Sequence, residues 1–171
     1  MPLNKLININ DFWHWAYSDL LSNSLRGILA EYIVGSALGC LENNRKEWDA
    51  FDLLHNGKKI EVKCAAYLQT WKQKENSKIR FDISEKSSWY ADENRYADKV
   101  ERPADLYVFS VFGETDRTLA NPLDVDQWFF LIMTRDQITQ HFGKNKTVGL
   151  HAIEKFGIQR VGYQDLKAFF R

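Results

Sequence analysis

Residues 51–63 read FDLLHNGKKIEVK and predict a β-hairpin. At the centre of this stretch, Asn56-Gly57 is the dipeptide best suited to the two positive-φ positions of a type I′ turn. With these residues in the turn, the hairpin has its strands at residues 50–55 and 58–66. The pairing of the two strands then decides which side chains share a face.

Strand alternation places two acids and a lysine on the same face of this hairpin. Asp52 lies opposite Glu61, and Lys63 follows Glu61 on the same side, about 7 Å along the strand. Directly opposed side chains lie about 5 Å apart, and like charges there are destabilising. A cation between the carboxylates relieves the repulsion, and a divalent metal also accounts for the lysine. The opposite face is apolar and carries Phe51, Leu53, Ile60, Val62 and Cys64.

The composition fits one globular domain and excludes several classes of protein. With 171 residues, 44% of them hydrophobic, the chain predicts a single domain over residues 1–171. Its formal net charge is zero, which excludes a general binder of polyanions. Two cysteines are too few for a disulfide framework or a tetrathiolate zinc site. Because no signal-peptide or membrane-spanning pattern is found, the expected location is cytoplasmic, without membrane contact.

Hydrophobic periodicity along the rest of the chain predicts an α/β fold, with α+β as the alternative. The expected architecture is a central mixed β-sheet flanked by helices. Helices are expected at residues 11–20, 24–39, 134–142 and 162–171, strands at residues 78–83, 105–112 and 127–133, and a helix or ordered loop at residues 85–101.

A third acid lies in the middle of the apolar helix expected over residues 24–39. Glu31 has Ile28 one turn before it and Gly35 one turn after it. A buried carboxylate without a partner is costly, so Glu31 is expected to have one. Two interpretations remain open: a helix-border acid that reaches solvent or a lysine, and a third acid beside the metal site.

These side chains match the needs of phosphodiester hydrolysis. Carboxylates that hold Mg²⁺ or Mn²⁺ meet part of those needs, because the ion polarises the phosphoryl oxygen and lowers the pKa of bound water. Lys63 is placed to orient the water or to stabilise developing charge. Val62 turns its side chain to the core, which leaves its carbonyl as a further metal ligand. The alternative is a solvated strand face with ordinary ion pairs, such as Glu61 with Lys59 or Lys63.

The sequence around and after the hairpin supplies candidate substrate contacts. Tyr67 and Gln69 continue the parity of the acid-bearing face, where an amide binds a phosphate or base and an aromatic ring stacks on a base. Lys59 belongs to a basic stretch at residues 58–80, which suits a phosphate backbone; a charge-balanced solvated surface is the alternative. Residues 165–167 repeat the acid-x-Lys pattern without a partner acid, and we assign them no role.

Glu in a helix, then Asp, then Glu-x-Lys on adjacent strands resembles the PD-(D/E)xK nuclease superfamily, which has a restriction-endonuclease-like fold. The likeness covers residues 24–71 and departs from the motif where Phe51 stands in place of the proline. It implies a metal-dependent nuclease that hydrolyses phosphodiester bonds, most readily a DNA endonuclease of restriction-like type. The implied metal ligands are Asp52, Glu61 and the Val62 carbonyl, with Lys63 as the catalytic lysine and Glu31 as the helix acid.

The same resemblance bears on partners and on the alternative function. Nucleic acid, with DNA as the first expectation, is the implied substrate, and cutting of both strands suggests a homodimer. The superfamily also contains members that have lost activity. A catalytically inactive nuclease-fold protein, acting as a nucleic-acid-binding or assembly module, is therefore the second hypothesis.

Overall fold

The computed structural model describes residues 6–41, 44–47, 49–90 and 93–170. Its helices are α1 (Ile9–Tyr17), α2 (Asn23–Leu38), α3 (Arg135–Phe142) and α4 (Leu150–Lys155), with 3-10 helices at Val125–Gln127 and Tyr163–Phe170. Its strands are β1 (Leu53–His55), β2 (Lys58–Ala66), β3 (Arg80–Asp82), β4 (Lys86–Tyr90), β5 (Arg95–Glu101), β6 (Leu106–Phe112), β7 (Trp128–Thr134) and β8 (Thr147–Gly149).

A four-stranded mixed sheet in the order β1-β2-β6-β7 forms the centre of the fold. Strands β2 and β6 run parallel, whereas β1 pairs with β2 and β7 pairs with β6 in antiparallel fashion. Strand β6 is a nearly continuous apolar run, as expected for a strand covered on both faces. The predicted α/β class, with a central mixed sheet flanked by helices, is confirmed.

The hairpin of β1 and β2 has the predicted turn and register. Asn56 and Gly57 have φ angles of 49° and 74°, the positive values that a type I′ turn requires. Strand β2 has the predicted bounds, and Leu53 faces Ile60 as expected. Strand β1 begins three residues later than predicted, so Asp52 lies just before the strand and not within it.

Two apolar layers cover the sheet and divide the side chains of β2 between them. One layer lies under α2 and the C-terminal 3-10 helix, and includes Ile33, Val34, Leu38, Ile60, Val62, Val108, Phe112, Phe130 and Leu166. The other lies under α3, α4, β3 and β8, and includes Ala65, Phe81, Phe109, Leu131, Met133, Ile138 and Ile153. Because side chains alternate along a strand, Glu61 and Lys63 lie on the face opposite α2.

The prediction of a helix or ordered loop over residues 85–101 is wrong. Strands β4 and β5 form an antiparallel hairpin there, with residues 91 and 92 of its tip outside the described residues. Trp89 and Tyr96 pair across the strands with ring centroids 5.0 Å apart, and such aromatic pairs favour a sheet over a helix.

The C-terminal segment and the segment of residues 147–155 also differ from the prediction. The predicted amphipathic helix over residues 162–171 is a 3-10 helix at Tyr163–Phe170, and residue 171 lies outside the described part. Strand β8 and helix α4 had no counterpart in the prediction. Among the described residues, no helix has both the length and the apolar character needed to cross a membrane.

Candidate active site

Asp52 ends the pairing of the hairpin and turns its carboxylate toward β2. Its backbone N–H donates to the Ile60 carbonyl at 3.0 Å, which continues the ladder by one bond. Its Oδ2 then accepts the Val62 N–H at 2.7 Å, in the place where a strand carbonyl would otherwise lie. The side chain of Asp52 is thereby fixed beside the middle of β2, close to Glu61.

The Glu61 carboxylate is buried on the sheet and binds two ammonium groups. Its side chain is 6% exposed, and Oε1 accepts from Lys63 Nζ at 2.7 Å. The Lys86 Nζ lies 3.1 Å from the same oxygen. The predicted proximity of Glu61 and Lys63 is therefore present, with a second lysine that the motif does not contain.

Asp52 has a raised pKa, because it is buried close to other acids. Burial, together with the charges of Glu61 and Glu31, raises the pKa of its carboxyl to about 7. The hydrogen bond from Val62 and the charge of Lys63 act in the opposite direction but do not compensate. Near neutral pH this carboxyl therefore exists in both protonated and ionised forms, and a cation beside it would favour the ionised form.

Glu31 of α2 is paired with an arginine from the segment that follows the helix. Arg45 donates from Nε at 2.5 Å and from a terminal nitrogen at 2.9 Å to the two oxygens of Glu31. The hydrogen bond to Glu31 raises the pKa of Arg45, and the charge of Asp52 contributes as well. Glu31 is close enough to Asp52 to shift its pKa, but its own carboxylate is held by this bidentate ion pair.

The Val62 carbonyl points to the same edge of β2 as the Asp52 carboxylate. The N–H and C=O groups of one strand residue point to the same side of the strand. Since the Val62 N–H donates to Asp52, the carbonyl of Val62 is directed toward that side. The side chain of Val62 packs under α2, as expected.

Gln69 and Tyr67 make their contacts within the loop that follows β2. Gln69 is 7% exposed, and its Nε2 donates to the Ala66 carbonyl at 3.1 Å and to Ser77 Oγ at 3.2 Å. Its Oε1 is buried without a hydrogen-bond partner in the described part of the chain. Tyr67 packs its ring against the apolar layer, and its carbonyl accepts the Ser77 N–H at 2.9 Å.

Lys59, the second residue of β2, hydrogen-bonds the residue that precedes β6. Its backbone N–H donates to Asp105 Oδ2 at 2.9 Å, and its carbonyl accepts the Asp105 N–H at 2.8 Å. The Lys59 Nζ lies 5.5 Å from the centre of the Phe51 ring, at the distance of a cation–π contact. Phe51, expected on the apolar face of the hairpin, is half-buried beneath this lysine.

Three residues that the sequence analysis did not identify also lie at this site: Lys86, Arg45 and Asp82. Burial raises the pKa of Asp82, but hydrogen bonds from Ser84 and the charges of Lys63 and Lys86 outweigh it, so the pKa lies below its ordinary value. Lys86 follows Glu61 by 25 positions in a segment that was expected to be a helix or loop. No local pattern indicates these partners, because each depends on tertiary pairing.

The two carboxylates suit a divalent cation whose remaining ligands come from water and from the substrate. Within the described ranges, no group of three or more His, Cys, Asp or Glu side chains is placed to hold a metal ion. Mg²⁺ is commonly bound by one or two carboxylates, with waters and substrate phosphate oxygens as the other ligands. Asp52 and Glu61 supply two carboxylates, and their mutual repulsion is the condition that a cation relieves.

Comparison with known proteins identifies a family for nearly all of this fold. In a comparison with curated proteins, no individual sequence matches the chain. The sequence model of a family described as bacteriophage T4 endonuclease IV matches residues 9–151, from the start of α1 into α4. This match spans the β1–β2 hairpin and the β4–β5 hairpin. The chain therefore belongs to the bacteriophage T4 endonuclease IV family and is a nuclease that acts on nucleic acid.

Proposed function

We propose that this protein is a metal-dependent DNA endonuclease of the PD-(D/E)xK, restriction-like type. Asp52, Glu61 and the Val62 carbonyl bind Mg²⁺ or Mn²⁺, Lys63 is the catalytic lysine and Glu31 supports the site. The main supporting observation is that the Asp52 carboxylate is held on the Val62 N–H at 2.7 Å, beside the buried Glu61 carboxylate that Lys63 contacts at 2.7 Å. Burial and the charges of Glu61 and Glu31 raise the pKa of Asp52 to about 7. Membership of an endonuclease family supports the same class of reaction.

Crowded carboxylates are costly to retain unless they bind a cation. Burial and like charge both oppose ionisation of Asp52. The native protein nonetheless keeps this carboxyl beside a second buried acid, Glu61. Active sites are where such perturbed acids concentrate. When bound, the metal polarises the phosphoryl oxygen and lowers the pKa of a bound water.

Lys63 reaches the reacting phosphate from the same strand as Glu61. Its ammonium group lies 2.7 Å from Glu61 Oε1, so it is already positioned beside the proposed metal ligand. From there it donates a hydrogen bond to the attacking water or to a phosphate oxygen, and stabilises the charge that develops on that oxygen. The Lys63 side chain is 23% exposed, which leaves it accessible to a substrate.

Glu31 and Arg45 act on this site through charge. The ion pair orients Glu31, and the negative charge of Glu31 disfavours ionisation of Asp52 when no metal is present. A divalent cation bound beside Asp52 is attracted by the negative charge of Glu31. Glu31 thus increases metal affinity without itself serving as a ligand.

Substrate contacts are proposed for Lys59, Tyr67 and Gln69, which lie on and beyond β2. Tyr67 and Gln69 begin a loop that also carries the exposed side chains of Lys72 and Lys74, which suit a phosphate backbone. If both DNA strands are cut, we expect a homodimer, because one site of this kind cuts one strand. DNA, and not RNA, is the proposed substrate.

The direct test is a plasmid nicking assay with Mg²⁺. Asp52→Asn and Lys63→Met each remove one proposed catalytic group, and we expect each to lower the cleavage rate by about 10²-fold or more. Asp165→Asn and Lys167→Met are matched controls, because they make the same changes at the exposed acid and lysine of another acid-x-Lys triplet. Both controls are expected to cleave at the wild-type rate.

Two outcomes would count against the proposal. Unchanged cleavage by both site variants would show that the reaction uses other residues. Salt-sensitive DNA binding without cleavage and without metal binding would favour a binding or assembly module that keeps the fold. A substrate panel of RNA and DNA in the same assay decides which nucleic acid is cut.

A further inference from the structure

A second lysine reaches the Glu61 carboxylate from outside the Glu-x-Lys triplet. Lys86 is the first residue of β4, where it pairs with Glu101 at the root of the β4–β5 hairpin. Its Nζ lies 3.1 Å from Glu61 Oε1, the oxygen that also accepts from Lys63. One ammonium group is enough to neutralise Glu61, so the second is available for another anion.

Lys86 is the less firmly held of the two lysines. Its side chain is 45% exposed, compared with 23% for Lys63. An ion pair with one exposed partner adds little to stability, because water screens it and a long side chain loses entropy. Lys86 can therefore leave Glu61 without unfolding the root of the hairpin.

The other nearby acid does not bind Lys86 directly. Asp82 Oδ1 accepts hydrogen bonds from the backbone and hydroxyl of Ser84. Among the described residues, the ion pairs within 4.0 Å that involve Lys63 or Lys86 are those with Glu61. If a divalent cation takes the oxygens of Glu61, both lysines lose this partner. A phosphodiester bound at the cation is then the nearest anion that can replace it.

We propose that Lys86 is a substrate-phosphate ligand, carried by the β4–β5 hairpin, that transfers from Glu61 to a DNA phosphate when the substrate binds. The inference rests on the proposed function, because a phosphate must come to the Glu61 site. Lys63 serves the reacting water from β2, and Lys86 approaches from a different strand. The Lys86 side chain thereby links the β4–β5 hairpin to the DNA phosphate bound at the Glu61 site.

The salt dependence of DNA binding tests this contact without any cleavage. Lys63→Met serves as the background, because it removes the catalytic lysine and keeps the proposed metal ligands Asp52 and Glu61. Binding of a fluorescein-labelled DNA oligonucleotide in the presence of Mg²⁺ is followed by anisotropy over a range of KCl concentrations. Adding Lys86→Met is expected to reduce the slope of log Kd against log[KCl] by about 0.7–0.9, the value for one phosphate contact. Lys86→Arg keeps the charge and should keep the slope.

Lys99→Met is the matched control, because Lys99 is exposed on β5 of the same hairpin. It should leave both the salt slope and cleavage unchanged. In the otherwise wild-type protein, Lys86→Met should lower the single-turnover cleavage rate by about 10²-fold. Lys86→Arg should restore most of that rate. If Lys86→Met does not fold, as judged by circular dichroism, Lys86→Gln takes its place in every arm.

An unchanged salt slope in the Lys86 variant would overturn the proposal. If cleavage fell while the slope stayed the same, Lys86 would act only by positioning Glu61, which also overturns the phosphate contact. Failure of the proposed function has a different signature: the wild-type protein would bind DNA but not cut it with Mg²⁺ or Mn²⁺. The slope comparison remains decisive for Lys86 in that case.

Discussion

Asp52 shows how a single side chain joins fold and chemistry in this protein. Its carboxylate replaces a strand carbonyl by accepting the Val62 N–H, so the oxygen that continues the pairing just before β1 is held beside Glu61. Burial and two acidic neighbours then raise its pKa to about 7. The residue is therefore well placed and poorly solvated, the combination that characterises functional acids more often than structural ones.

Asp52→Asn is expected to stabilise the protein at pH 8 in EDTA, while abolishing cleavage. In the unfolded chain an aspartate has a pKa of about 3.9, and in the native protein that of Asp52 is about 7. Below pH 4 both states hold the proton, so Asp52 carries no penalty. The penalty grows as pH rises from 4 to 7 and is complete above pH 7, at roughly 1–4 kcal/mol.

Urea unfolding at pH 4 and pH 8 measures this effect. The asparagine keeps an acceptor for the Val62 N–H, so the variant differs from the wild type mainly in charge. We expect nearly equal free energies of unfolding at pH 4 and a more stable variant at pH 8. Asp165→Asn, at an exposed position, controls for the general loss of one acid. The same difference at both pH values would refute the account of Asp52.

Helix α2 carries Glu31 above the sheet, and its glycines set how closely the helix approaches. A Cβ added at Gly35 would clash with Leu41 Cδ2 and lie 3.3 Å from Leu53 Cδ2. A Cβ added at Gly27 would meet no atom within 4 Å. Gly35 therefore lies close against Leu41 and β1, whereas Gly27 faces open space.

Alanine at these two positions should have opposite effects on stability. Gly27→Ala should raise the free energy of unfolding by about 0.5–1 kcal/mol, because alanine is the better helix former. Gly35→Ala should lower it by about 1–2 kcal/mol, because overpacking outweighs the same helix gain. Chemical denaturation measures both, and equal stabilisation by the two variants would contradict the packing of α2 on the hairpin.

The sequence was informative where the determinants of structure are local. The Asn-Gly turn and strand alternation predict the register of β1 and β2, and the helix expected at residues 24–39 is α2, which Ser22 and Gly39 cap. The segment 85–101 was misread because its strands pair only with each other and carry charged residues on both faces. Lys86 and Arg45 could not be predicted, since tertiary pairing alone brings them to Glu61 and Glu31.

At the scale of the whole molecule, the candidate site lies where separate parts of the chain meet. The β1–β2 hairpin supplies the acids, the β4–β5 hairpin supplies Lys86, and α2 with its following segment supplies the Glu31–Arg45 ion pair. The family match over residues 9–151 includes all of these parts. The match supports the interpretation that they function together, within the single domain predicted for residues 1–171.

Calorimetric titration with Mn²⁺ tests the central proposal, that Asp52 and Glu61 form a metal site. We expect one Mn²⁺ to bind the wild-type protein and Asp165→Asn with the same affinity. Affinity for Asp52→Asn should fall by at least about 10-fold, because a neutral amide replaces a carboxylate ligand. Equal Mn²⁺ affinity in wild type and Asp52→Asn, or no binding to either, would contradict the proposed metal site.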